Sequence, residues 1–289
     1  MKGILVILTV LSLMNASFAG CFPENNIHIS VNDKAASMTE ADFLKSIEKV
    51  SAVYAPIFEK EYGAKLVVEN HWTDATANAY AFQEGKEWHV AMFGGLARMQ
   101  ETTQDGFEAV ICHEIGHHIG GAVKYPGGNA WASSEGQSDY FATSKCLKKV
   151  YELELEKNLE LYNKQSLTKD EEFAKSQCAS VFKSEADAAL CLRTALAGQS
   201  LANVLNKLGG SSKLPSFQTP DKKVVTRTVH SHPQAQCRMD TYFQGGLCDK
   251  SHEIFPSSTD VSVGFCTAKE GFQIGLRPAC WYKAAEYEK

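Results

Sequence analysis

The sequence predicts an α+β chain that is mainly helical, with a small sheet ahead of a central helix and a disulfide-linked C-terminal tail. Three observations carry this reading. Long segments repeat apolar residues at helical spacing, and two short aromatic and β-branched runs flank a Glu84-Gly85-Lys86 turn. Eight of the nine cysteines lie at or after position 112, four of them beyond residue 224.

Over residues 39–62, Phe43, Ile47, Val50, Val53, Tyr54 and Ile57 recur as one apolar helix face. A short strand over 65–68 follows, and residues 78–82 and 88–93 read as two further strands. The next helix is expected from near Asp105 to the Gly120-Gly121 pair, where glycine can take the left-handed conformation that stops a helix. Past a loop with Pro126, Gly127 and Gly128, Ser134 and Gln137 predict a capping box that opens a helix reaching about Glu156. Two more helices are expected over 170–184 and 185–207. The stretch 209–223, rich in Gly, Ser and Pro, reads as a linker. The expected organisation is a signal peptide over 1–20, a core over 21–210 and a Cys-rich segment over 224–289 packed on it.

Lys2 and the apolar run 4–13 have the anatomy of an export signal, and the run is too short to span a bilayer. Two processing routes stay open. Ser17 and Ala19 suit ordinary cleavage after Ala19, whereas Phe18, Ala19, Gly20 and Cys21 form a lipobox that would leave a lipid anchor on Cys21. The expected location is the periplasm or the exterior, or the outer membrane in the lipidated case.

Without Cys21 an even set of eight cysteines remains, which favours disulfides in an oxidising compartment. The short-range options are Cys178 with Cys191, Cys237 with Cys248, and Cys266 with Cys280. A net charge of −5 without a basic run speaks against a nucleic-acid partner. No later apolar stretch is long enough for a transmembrane span.

The chemistry concentrates in ICHEIGHHIGG, residues 111–121. Side chains advance by about 100° per helical residue, so His113 and His117 share a face and His118 does not. This is HExxH, in which two imidazoles bind zinc and Glu114 serves as general base. Catalytic zinc sites use three protein ligands. The third histidine of the extended metzincin pattern would fall at Val123, so that route is closed. Glu135, eighteen residues after His117, supplies a carboxylate from the following helix, and Asp139 one turn on can orient a histidine ligand. Cys112 points away from the ligand face and is expected to be a buried helix residue or a disulfide partner of Cys146.

With these residues in hand, the chain resembles the gluzincin metallopeptidase family that includes the CAAX prenyl proteases, HtpX and BepA. The resemblance covers roughly residues 75–145 and a short piece near 232. Besides HEIGH and EGQSD, NAYA at 78–81 is similar to the family's NAFA. WHVAMFGGLARM looks like the strand and Gly-Leu turn before its zinc helix, and SHPQAQCR repeats HPxxxxR through His232, Pro233 and Arg238. The resemblance implies a zincin-like core with one Zn2+ ion and places His232 near it, a candidate donor to the oxyanion, with Arg238 anchoring its loop. It also implies that the strand over 88–93 is a sheet edge to which a polypeptide substrate adds, with Asn78, Ala79, Val90, Ala91 and Met92 lining the site. Gln137 stands where the family usually has a glutamate, and the four C-terminal cysteines are not a family feature.

The expected function is a zinc-dependent metalloendopeptidase acting on proteins of the cell envelope or extracellular space. The rivals are a non-catalytic binding or chaperone-like module that keeps the zinc fold, and a peptidase of peptidoglycan cross-links.

Overall fold

The computed structural model describes residues 19–33 and 37–288. Lys2, the run 4–13 and Phe18 of the export reading lie outside the described residues.

The described chain opens with a two-residue strand, β1 (Ala19–Gly20). Helix α1 (Glu40–Ile57) begins at a capping box: the Thr39 side chain accepts from the Asp42 amide, and the Asp42 carboxylate accepts from the Thr39 amide. Its predicted apolar face is the buried one, through Phe43, Ile47, Val50 and Tyr54. Strands β2 (Lys65–His71), β3 (Ala79–Glu84) and β4 (Glu87–Phe93) follow. β3 and β4 form a hairpin whose loop starts at Gly85 with φ of 62°, a conformation two-residue hairpin loops require and glycine adopts without strain.

A single turn, α2 (Gly94–Ala97), leads to the central helix α3 (Gln104–Ile119), capped by the Thr103 side chain. Helices α4 (Glu135–Phe141) and α5 (Leu147–Tyr151) continue one another through a π turn at Ala142–Cys146. Then come α6 (Leu155–Tyr162), α7 (Lys169–Val181), α8 (Glu185–Leu208), α9 (Ala235–Leu247) and the short α10 (Ala284–Tyr287). The capping box expected at Ser134 does not form. Ser134 makes no side-chain cap, and Gln137 instead donates to the Gly120 carbonyl and accepts from Arg277.

The sheet order is β1-β3-β4-β2, with β4 antiparallel to β3 and parallel to β2. This corrects the expectation that residues 88–93 form an edge: β4 is interior, and its two ladders use both of its sides. Val90 and Met92 are fully buried and Ala91 nearly so, and none can take a substrate backbone. The edge that remains beside β3 is taken by β1 of the same chain.

α3 runs through the middle of the molecule, against α1, α4, α8 and the β3-β4 hairpin, and every residue from Gly106 to Ile119 is buried. A core of Phe43, Val50, Phe58, Val90, Phe107, Ile111, Phe141 and Leu201 joins sheet and helices around it. The tail packs back on this body: α9 lies against α8 and α4, and Trp281 is fully buried. The stretch 209–223 is held down rather than free, because Asp170 accepts from the Ser216 hydroxyl and the Phe217 amide and Phe217 is buried. Among the described residues no helix is long and apolar enough to cross a membrane.

Four disulfides are present. Cys112–Cys146 and Cys178–Cys191 match expectation. In the tail the pairs are Cys237–Cys280 and Cys248–Cys266, one nested inside the other, instead of two sequential loops. Spacing along the chain could not select them, because α9 places Cys237 and Cys248 at opposite ends of the same helix.

Candidate metal centre and active site

His113 and His117 stand one turn apart on α3, as the helical period requires, with ring centroids 4.7 Å apart. α4 crosses the same turn closely. A Cβ on Gly116 would lie 3.0 Å from the Ser138 Cα, so a side chain there would push the two helices apart. That approach brings Glu135 to the imidazoles: its Oε2 is 3.3 Å from His113 Nε2 and its Oε1 is 3.6 Å from His117 Nε2. His113, His117 and Glu135 form one group of converging ligand atoms, all fully buried.

The far sides of both rings are engaged. His113 Nδ1 is 2.7 Å from Asp139 Oδ1, and His117 Nδ1 is 2.8 Å from the Ser133 carbonyl. Hydrogens on the Nδ1 atoms leave both Nε2 lone pairs facing Glu135, the tautomer a metal ligand needs. Asp139 is itself fixed by a two-pronged Arg238 guanidinium, at 2.7 and 2.6 Å, and by the Tyr242 hydroxyl. Arg238 thus grips the carboxylate behind His113.

The site tests well for a metal. His113 Nε2, His117 Nε2 and Glu135 Oε2 are buried without a hydrogen-bond partner, as are both carboxylate oxygens of Glu114. Buried orphan polar atoms are costly, and here they converge. Two imidazoles and a carboxylate are a donor set suited to zinc.

The electrostatics follow from burial and neighbours. Burial pushes the Glu114 carboxyl up to about 8. Burial also acts upward on Glu135, but His117 and the other imidazoles outweigh it and hold that carboxyl well below the usual range. Desolvation brings His117 down to about 4, which keeps its ring neutral. For Asp139 the Arg238 charge overcomes burial and keeps the carboxylate ionised.

Of the other predicted residues, His232 reaches the centre: its Nε2 is 3.5 Å from Glu135 Oε2 and 2.8 Å from the Gly20 carbonyl. Asn78 and Ala79 hold the bend at residues 21 and 22: the Cys21 amide donates to the Ala79 carbonyl, and the Phe22 amide donates to Asn78 Oδ1. His118 is a packing residue, stacked on Trp88 and Trp131. Two residues escaped the sequence reading. Tyr125 donates its hydroxyl to Glu135 Oε1 at 2.8 Å, from a loop with no motif to mark it. Cys21 places a buried thiol beside His113 and Glu114, where the lipobox pattern had directed attention to its processing.

A helix bearing two imidazoles, a second helix bearing a carboxylate and an unpaired glutamate between them are the parts of a metallopeptidase. Residues 39–125 match the model of Peptidase family M48, and over that segment the gluzincin resemblance is borne out. The match includes His113, Glu114 and His117 and ends before Glu135. No curated protein and no solved structure matches the chain.

Proposed function

We propose that the protein is a single-zinc metalloendopeptidase with a zincin-like core, exported to hydrolyse peptide bonds of proteins in the cell envelope or outside the cell. The observation that carries this is the convergence of the orphaned His113 Nε2, His117 Nε2 and Glu135 Oε2 beside the two unpaired oxygens of Glu114. A structural zinc site has no use for an unpaired buried carboxylate next to its ligands, so Glu114 favours catalysis over a non-catalytic fold.

When bound, zinc supplies Lewis-acid polarisation of the scissile carbonyl and an acidified water. His113, His117 and Glu135 would hold it. Glu114 takes the proton from the attacking water and later delivers it to the leaving amine. His232 donates from Nε2 to the developing oxyanion, the position its contact with the Gly20 carbonyl already imitates. Asp139 holds the His113 ring, Ser133 holds His117, and Tyr125 fixes Glu135. The outer edge of β3 from Ala79, with Asn78 just before it, replaces β4 as the strand on which a substrate backbone would lie, in place of β1.

The test is Glu114→Gln in zinc-loaded protein offered an unfolded protein and, separately, muropeptides. The expected result is full zinc content with cleavage of the unfolded protein reduced by about 10³-fold, the usual scale of a lost general base. Undiminished cleavage sinks the assignment, and cleavage of muropeptides alone replaces it with a peptidoglycan enzyme.

A further inference from the structure

A substrate backbone that takes the place of β1 meets β3 in the register β1 marks. Ala19 pairs with Ala81 and Gly20 with Tyr80, antiparallel. Either processing route expected from the sequence cuts away Ala19, so this pairing is lost from the mature chain. The β3 edge, His232 and Glu114 remain, and a polypeptide from outside finds the same positions open.

Opposite Tyr80 the backbone reaches the reacting groups. The Gly20 carbonyl accepts from His232 Nε2 at 2.8 Å, and that nitrogen is 3.5 Å from Glu135 Oε2. At the next position, the Cys21 sulfur lies within 4.8 Å of a ring nitrogen of His113 and a carboxylate oxygen of Glu114. The peptide bond joining the two positions therefore runs between the oxyanion donor and the general base, where a scissile bond belongs. The residue opposite Tyr80 is the one whose carbonyl is attacked.

That position has no room for a side chain. A Cβ on Gly20 would lie 2.9 Å from Cδ1 and 3.0 Å from Cε1 of Tyr80, well inside the distance at which carbon atoms pack. The backbone is no obstacle, since the Ala79 carbonyl oxygen would be 3.4 Å away, an ordinary contact. Nor is the ring free to swing aside. Cδ1 sits near the root of the side chain and moves only when the whole ring turns, and the ring stands edge-on to Phe93 with centroids 5.7 Å apart. Phe93 is itself stacked on His71 at 4.9 Å, and His71 Nε2 is 2.8 Å from Glu69.

We propose that Tyr80 sets the substrate class: the enzyme cuts extended polypeptide segments on the carboxyl side of glycine. This rests on the zinc peptidase reading above. Any residue with a Cβ opposite Tyr80 either forces the ring off Phe93 or lifts the strand from β3, and lifting draws the carbonyl away from His232. Glycine alone satisfies the strand pairing and the oxyanion contact together.

The experiment uses the mature full-length protein, disulfides intact and zinc-loaded, as wild type, Tyr80→Phe and Tyr80→Ala. Each is given an unfolded protein, whose cleavage sites are mapped by mass spectrometry, and a pair of peptides that differ only in holding glycine or leucine at one central position. Wild type should cut after that position at least about tenfold faster in the glycine peptide, read as kcat/KM, and its sites in the unfolded protein should follow glycine. Tyr80→Phe keeps the ring and should keep the preference. Tyr80→Ala removes Cδ1 and Cε1 and should bring the two peptides to about equal rates, with new sites after larger residues. A residue that only stabilised the fold would lower both rates and leave their ratio unchanged. Equal cleavage of the two peptides by wild type overturns the proposal, as does a glycine preference that survives Tyr80→Ala. Tyr80→Val, which suits a strand and also lacks both ring atoms, takes the same test if the alanine variant does not fold. Failure of zinc-loaded wild type to cut the unfolded protein or either peptide overturns the peptidase reading, and the role of Tyr80 with it.

Discussion

Asp139 carries more of the centre than its place outside the ligand set suggests. It holds His113 in one tautomer, and it is the counter-ion of the fully buried Arg238. Asp139→Asn keeps the shape but removes the charge, so zinc affinity should fall by about 10- to 100-fold, measured by competition with a chromophoric chelator. Tyr125→Phe removes one hydrogen bond to Glu135 and leaves the ring in place. It should weaken zinc by roughly tenfold without loss of fold, read by the same competition and by unchanged circular dichroism. At this scale the sequence was informative where helix period sufficed. His113, Glu114 and His117 are legible because a 3.6-residue repeat decides which side chains share a face. Tyr125 and Cys21 were not legible, since they reach the centre from a loop and from the bend after β1 through contacts no local spacing encodes.

Among elements, α3 is positioned by its ends as well as its apolar surface. Asp105 in its first turn forms a two-pronged ion pair with Arg193 of α8, at 2.8 and 3.0 Å, and Arg193 also meets Glu154 at 2.7 Å. Burial raises the Asp105 carboxyl, but Arg193 outweighs it and the value lies below the ordinary one. A depressed carboxylate contributes stability above the unfolded pKa, about 4 for aspartate, and loses it as pH falls through the folded value. The contribution should therefore be intact at neutral pH and vanish only in the acid range below about pH 4. Asp105→Asn leaves Arg193 with Glu154 as its carboxylate partner and should cost about 2 kcal/mol at pH 7, measured by urea unfolding, with the gap to wild type closing in acid. The β4 edge expectation failed at this same scale. Alternation and aromatic content mark a strand, but they do not say how many neighbours pair with it, and β2 returns to β4 in parallel across the intervening hairpin.

For the whole molecule, disulfides tie the site to the rest. Cys112–Cys146 joins α3, next to His113, to the helix that carries Glu135 and Asp139. Cys237–Cys280 closes the tail over α9, which carries Arg238. Replacing Cys237 and Cys280 by serine should lower the unfolding free energy by about 4 kcal/mol on chain entropy. Zinc affinity should fall with it if the tail holds Arg238 against Asp139. Calorimetry with and without zinc reads both, and an unchanged shift on metal addition would show that the tail stabilises without serving the centre.

The sequence by itself determined the elements and half of the centre: the capped α1 with its buried face, the hairpin at Gly85, and the HExxH face of α3. These rest on interactions a few residues long, which periodicity and turn chemistry encode directly. Tertiary structure alone decided the sheet order, the nested tail disulfides, the Arg238–Asp139–His113 chain and the pairing of Ala19–Gly20 with β3. Each depends on which distant surfaces meet when the core closes, and a contact between Cys21 and His113 has no trace in the spacing of either.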